Sequence, residues 1–185
     1  MKSQRLITLI FIAATLIINA CGSKSSGTGN DAASEETDIH TAVVSDNMEA
    51  VKKYIQDGKD LNVRDPFGGS SPLISAAVFG KRDIARVLLQ SGADVNFQNN
   101  DGSTALHTAA FFCRPEIVQL LLDKNADKTV VNKYGATAYD NVAGPFEQMK
   151  DAYDMMETVL GPMGLELDYD YIQKTRPEIA AMLNP

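Results

Sequence analysis

The sequence predicts an all-α solenoid of about four helix-turn-helix units, joined by short β-hairpin-like loops and closed by a C-terminal helical cap. Three observations lead there. A self-similarity with a 33-residue offset lays Ser71, Pro72, Leu73, Ala76, Ala77, Asp83, Ile84, Leu88, Leu89, Ala93 and Asp94 on Thr104, Ala105, Leu106, Ala109, Ala110, Glu116, Ile117, Leu121, Leu122, Ala126 and Asp127. A fixed period in this range is the signature of stacked units. Each period holds two apolar patterns of about 8 to 10 residues, too short to be stable alone in water, so their apolar faces must be buried by neighbours. Turn signals such as Asp101-Gly102 separate the units.

The first unit runs from about residue 37 to 65 by its alignment with the next. Thr37 or Asp38 is placed to cap a helix carrying Ile39, Ala42 and Val43. Ser45-Asp46-Asn47 makes the turn, and Glu49 to Ile55 continues as a second helix with Val51, Tyr54 and Ile55 inward. Asp57-Gly58 stops it, because glycine takes the left-handed conformation at a helix end without strain. Lys59-Asp60-Leu61-Asn62 matches Ala93-Asp94-Val95-Asn96 at an offset of 34, so one extra residue sits in the Asp65-Pro66-Phe67-Gly68-Gly69 loop. The second and third units span about 66–98 and 99–131. The fourth opens regularly at Tyr134-Gly135-Ala136-Thr137-Ala138-Tyr139 and then departs. Gly144 to Asp151 adds roughly five residues at the inter-helix turn, after which Ala152 to Leu160 is expected as the second helix. Gly161-Pro162 ends it. A further helix is expected beyond Leu165, with Ile172, Ile179, Met182 and Leu183 apolar and Pro177 starting or kinking it. Residues 144–185 therefore read as an irregular last repeat plus a cap covering the open end, after the repeats at 37–143.

Gly102-x-Thr104-Ala105-Leu106-His107-x-Ala109-Ala110, followed by Glu116-Ile117-Val118-x-Leu120-Leu121-Leu122 and Ala126-Asp127, closely resembles the ankyrin repeat. The resemblance implies a turn plus two antiparallel helices per unit, and a concave groove formed by hairpin tips and first helices. Matched residue by residue, it puts Phe67, Asn100, Asp101, Lys133 and Tyr134 at the tips. Val78, Phe79, Phe111 and Phe112 fall near the ends of first helices, with Val130 and Val131 leading into the last tip. Phe67, Phe79, Asn100, Asp101, Phe111, Phe112, Lys133 and Tyr134 are thus the candidate partner-binding residues, since exposed aromatics dominate protein-binding hot spots. The alternative is that some, Phe79 and Phe112 above all, turn into the inter-repeat core.

The chain is 185 residues long with net charge −7. Its first 20 residues resemble a signal peptide: Lys2 and Arg5 form a positive start, and Leu6 to Ile18 is an apolar run too short to span a bilayer, for which about 20 residues are needed. Ile18-Asn19-Ala20-Cys21 resembles a bacterial lipobox, implying lipidation of Cys21 and an exported, periplasmic, membrane-anchored protein. Gly22, rather than Asp, implies the outer membrane by analogy with enteric bacteria. Residues 21–36 read as the lipidated cysteine and a flexible Gly/Ser tether. Loss of the leader leaves 15 basic against 24 acidic side chains, −9, which repels phosphate backbones and argues against nucleic-acid binding. The expected partner is a protein, mildly favoured to be basic, and the chain is expected to be a monomer.

No catalytic constellation is spaced for use. His107 sits where ankyrin-like sequences carry a histidine that bonds neighbouring turns, and His40 receives the same structural reading. No cofactor or metal is expected: the histidines lack paired cysteines, no Gly-rich phosphate loop precedes Lys-Ser/Thr, and Glu166, Asp168 and Asp170 lack the glycine and spacing of a calcium loop. With Cys21 lipidated, Cys113 is left alone and no intrachain disulfide forms. Cys113 aligns with Gly80, where the turn wants a left-handed residue, at about 1 kcal/mol of strain. One reading is a tolerated variant; the sharper one is an exposed, reactive thiol. As a whole the sequence reads as a non-catalytic binder, and bacterial relatives of this type imply a toxin-neutralising immunity protein or an accessory to an oxidative-stress enzyme. A client-free envelope spacer and an enzyme with its site in the C-terminal region are the alternatives.

Overall fold

Three-residue turns between paired helices set the repeat. In the computed structural model, which describes residues 38–184, the pairs are α1 (Ile39–Val44) with α2 (Met48–Gln56), α3 (Pro72–Val78) with α4 (Arg82–Gln90), and α5 (Ala105–Phe111) with α6 (Pro115–Asp123). Then follow α7 (Asp140–Ala143), α8 (Lys150–Leu160) and α9 (Tyr169–Leu183), with single 3-10 turns at Phe146–Gln148 and Gly161–Met163 on either side of α8. No strand forms among the described residues, so the fold is all-α, as expected. The expected leader, lipobox Cys21 and tether lie outside the described residues.

The first helix of each regular unit is capped by the residue before it. Asp38 accepts from the backbone of His40 and Thr41, Ser71 from Ile74, and Thr104 forms a reciprocal box with His107. Such caps typically contribute about 1 kcal/mol each. Pro72 and Pro115 open their helices, where a missing N–H is no loss. The turn to the second helix needs a left-handed residue, supplied by Asp46 (φ 58°), Gly80 (φ 65°) and Cys113 (φ 53°). The predicted equivalence of Cys113 and Gly80 holds in the backbone.

Helices α1, α3, α5 and α7 pack in one row and α2, α4, α6 and α9 in the other. The first-helix row meets through small side chains, Ala42, Ala76, Ala77, Ala109 and Ala110, all buried. The second-helix row supplies the bulk: Ile84, Leu88, Ile117, Leu121, Ile172 and Ile179 are buried, each worth roughly 1.5–3 kcal/mol of apolar burial. Successive units are also laced by asparagines. Asn62 Oδ1 accepts from the Asp94 N–H at 2.8 Å, and Asn96 Oδ1 from the Asp127 N–H at 2.8 Å.

The row order corrects one expectation. The second helix of the fourth unit is α9, not the 152–160 stretch: α9 packs against both α7 and α6, as α6 packs against α5 and α4. Residues 144–168 are therefore an insertion of 25 residues where earlier units use a turn of three. The physical reason is side-chain pattern. Lining the stack requires a buried stripe, and α9 has Ile172, Thr175, Arg176, Ile179 and Leu183 buried, whereas α8 buries only Tyr153. Pro177 lies inside α9, so it removes the amide that would bond the carbonyl four residues back without ending the helix.

Arg176 clasps the insertion to the stack. Its Nη1 donates to Asn141 O and Tyr153 Oη, both at 3.0 Å, and its Nη2 to Gly144 O at 2.8 Å. Tyr153 Oη in turn donates to Phe111 O at 2.8 Å. A buried guanidinium is tolerated when its protons are met in this way.

Candidate partner-binding surface

Each hairpin tip is built by one side chain folding the backbone around itself. The Asp65 carboxylate accepts from the N–H groups of Phe67 (2.7 Å), Gly68 (2.8 Å) and Ser70 (2.6 Å). Asn99 Oδ1 accepts from Asp101 (3.0 Å) and Ser103 (2.9 Å), and Asn132 Oδ1 from Tyr134 (3.0 Å) and Ala136 (3.2 Å). Burial pushes the Asp65 carboxyl up, but the N–H groups of Gly68, Phe67 and Ser70 outweigh it and hold the carboxyl below its usual range.

The tips then bond to one another. Asn100 N donates to Gly68 O at 3.0 Å, and Lys133 N donates to Asp101 O at 2.8 Å. Gly69 (φ 66°) must be glycine on two counts, since a Cβ there would also collide with the Asn100 side chain. Arg64 adds a staple that sequence reasoning missed. Its Nη1 donates to Gly69 O (3.1 Å), its Nη2 to Gln98 O (3.0 Å), and its guanidinium sits 4.5 Å from the Phe97 ring centroid. Its place immediately before the turn-forming Asp65 was the available signal.

This arrangement brings the predicted tip residues into one row. At the 33-residue offset Phe67, Asn100 and Lys133 occupy the same place in successive tips, with Asp101 and Tyr134 one residue later in theirs. Phe67 is 74% exposed, and Asn100, Asp101 and Lys133 are exposed. Tyr134 is half-buried; burial, then the neighbouring Asp101 carboxylate, raises its hydroxyl pKa.

The turn-edge aromatics behave differently. Phe112 is only 5% exposed and is core, which corrects its assignment to the binding patch in favour of the alternative reading. Phe111 is half-buried beneath an edge contact with Phe112 (4.9 Å) and a tilted contact with Tyr153 (4.6 Å between centroids). It is therefore occupied within the chain rather than free for a partner. The insertion brings Tyr153 there, and no repeat alignment could place it. Phe79 is half-buried.

Cys113 is fully buried, with Sγ 3.7 Å from Ile172 O of α9. Burial pushes its thiol up to about 11, so it is a neutral, covered thiol and not the exposed reactive one that the sequence allowed. The histidines are structural ties. The His107 ring accepts from the Thr104 N–H at 3.2 Å through Nδ1, and its Nε2 is 3.1 Å from Ala136 O of the next tip. His40 Nε2 lies 3.2 Å from Val63 O. Burial lowers the His107 pKa, which keeps the ring neutral. Among the described residues, no group of three His, Cys, Asp or Glu is gathered to hold a metal ion.

A family model for ankyrin repeats, in three copies, matches residues 39–132. The chain belongs to the ankyrin repeat family. Members typically act through protein–protein interaction. Protein phosphatase 1 regulatory subunit 27 of Homo sapiens is 44% identical over 64 residues, covering 35% of this chain and 41% of that protein. E3 ubiquitin-protein ligase KEG of Arabidopsis thaliana is 33% identical over 75 residues, 40% of this chain and 5% of the ligase. The chain therefore spans about two fifths of the first relative and far less of the second. Among solved structures, the ankyrin repeat domain of Bcl-3 superposes with a TM-score of 0.54 at 33% identity, covering 56% of this chain and 45% of that one.

Proposed function

We propose that this chain is an exported, lipid-anchored ankyrin-repeat protein that holds a protein partner on its tip row and performs no chemistry itself. The observation that carries the reading is the tip row. Its backbone is locked by Asx turns and tip-to-tip bonds, while Phe67, Asn100, Asp101 and Lys133 are left exposed on it. A rigid frame bearing exposed side chains loses little ordering entropy on binding. The similarity to a protein named as a regulatory subunit is in keeping with binding rather than catalysis. So is the burial of both Cys113 and His107, which takes those two groups out of reach of a molecule at the surface.

The reading of the anchor rests on Cys21 in the lipobox-like Ile18-Asn19-Ala20-Cys21, which supports a periplasmic domain held at the outer membrane. Neutralising a toxic effector and assisting an oxidative-stress enzyme both suit such a binder. Capture from detergent-solubilised outer membranes is the test, using the full chain and its Phe67→Ala/Lys133→Ala variant. One stoichiometric protein retained by the first and lost by the second is the expected result. Equal capture by both removes the tip row from the reading, and capture of nothing by either favours a spacer without a client. Loss of fatty-acid labelling in Cys21→Ser tests the anchor.

A further inference from the structure

The charge of the chain is unevenly placed. Residues 38–139 carry 12 acidic and 11 basic side chains, whereas residues 140–184 carry 9 acidic and 3 basic. Most of that imbalance lies in the insertion, where Glu147, Asp151, Asp154, Glu157, Glu166 and Asp168 face a single cation, Lys150. Lys150 is already engaged with Asp154 at 2.9 Å. Tyr169 Oη also donates to Asp154 at 2.8 Å and to Glu157 at 3.0 Å. Glu147, Asp151 and Glu166 are exposed and form no ion pair among the described residues.

The same segment is rich in methionine and open on one side. It holds Met149, Met155, Met156 and Met163, four of the chain's seven methionines. Helix α8 turns Tyr153 to the stack, which leaves Asp151, Met155 and Val159, spaced four residues apart, on the other side. Val159 is 53% exposed and Met163, in the 3-10 turn that continues α8, is 47% exposed. Exposed apolar side chains grouped on one element and rimmed by polar groups mark a binding surface, where a single one would not. Unbranched, polarizable methionines suit surfaces that adapt to a partner's shape. An apolar stripe among unpaired carboxylates has as its complement an amphipathic helix with a cationic face.

We propose that the insertion at 144–168 is a second docking surface, and that its occupant is a basic amphipathic helical segment of a partner protein. Met155, Val159 and Met163 take the apolar side, and Glu147, Asp151 and Glu166 meet its cations. The proposal rests on the reading of the chain as a protein-binding scaffold but not on the tip row, from which it is separate in sequence and chemistry.

The test uses the chain labelled with 13C-methyl methionine and two synthetic helical peptides of leucine and lysine or of leucine and glutamate in the same amphipathic pattern. The lysine peptide is expected to shift the Met155 and Met163 methyl signals saturably, with at least tenfold weaker binding when salt is raised from low to about 0.5 M. Val159→Asp and Glu147→Gln/Asp151→Asn should each weaken that binding, and Phe67→Ala should leave it unchanged. No shift with the lysine peptide, or an equal shift with the glutamate peptide, overturns the proposal. Loss of the shift in Phe67→Ala would place the peptide on the tips, which rejects the docking arm while leaving the tip row standing.

Discussion

The third and fourth units use the same two-row frame to different ends. In the third, a three-residue turn joins α5 to α6, and most apolar residues of the pair are buried in the stack. In the fourth, 25 residues instead of three separate α7 from its partner, and the intervening chain folds back on the turn edge of the unit before it. The stack tolerates this because closing a longer loop adds entropy cost only slowly, by about 0.6 kcal/mol per doubling. What it cannot tolerate is loss of the buried stripe, and α9 restores that stripe. The difference teaches that a repeat is defined by which faces are buried, not by continuity of sequence.

The sharpest way to break the comparison is to truncate equivalent core positions. Ile117→Ala in α6 and Ile179→Ala in α9 should each lower unfolding free energy by about 2–5 kcal/mol, measured by urea titration. Both side chains are fully buried. If α9 were only a lid on the end of the stack, Ile179→Ala would fall well short of Ile117→Ala, and the assignment of α9 to the second-helix row would fail.

Much of this was legible beforehand. The 33-residue offset, the capping residues and the left-handed position of Cys113 all follow from local rules that act within a few residues. The tip residues were likewise placed by alignment alone. The fourth unit was not legible, because its second helix had two candidates of suitable length. Ala152 to Leu160 comes first in the chain, only about five residues later than the regular spacing, while α9 carries Pro177 and two buried polar residues, Thr175 and Arg176, that disguise its inward face. Arg176 reads as a surface cation until Asn141, Gly144 and Tyr153 are brought to it from distant positions. The same long-range folding covers Phe111 and Cys113, which no repeat alignment could foresee, so the turn-edge reading failed at Phe112 and Cys113.

Cys113 links the two units and gives the next effect. Its thiol belongs to the third unit but is covered by Ile172 of the fourth. Burial raises its pKa to about 11, against roughly 8.5 in the unfolded chain. A group whose folded pKa is raised contributes stability that is complete below the unfolded value and is lost as pH climbs through the folded one. The window is therefore about pH 8.5 to 11, and the loss is roughly 3–4 kcal/mol. Stability measured across that window should fall more steeply for the native chain than for Cys113→Ala, whose own penalty at neutral pH is a smaller packing loss. Parallel pH profiles, or rapid alkylation of the folded protein near neutrality, would show that α9 does not seal the turn.

The smallest effect separates the tip edge from the turn edge by one residue type. Phe111→Ala removes a ring held between Phe112 and Tyr153 and should cost about 2 kcal/mol, less than a fully buried phenylalanine because the ring is half-buried. That corresponds to a fall in melting temperature of several degrees for a chain of this size. Phe67→Ala removes a ring that is 74% exposed, and the change should stay within about 0.5 kcal/mol. Its neighbours explain why: the Phe67 N–H, not its ring, is what Asp65 holds, and alanine keeps that bond. A melting temperature unchanged in Phe67→Ala but lowered in Phe111→Ala assigns the first ring to whatever binds the tips and the second to the clasp between units. Equal losses would mean that the tip ring packs within the stack, and the contrast between the two edges would be gone.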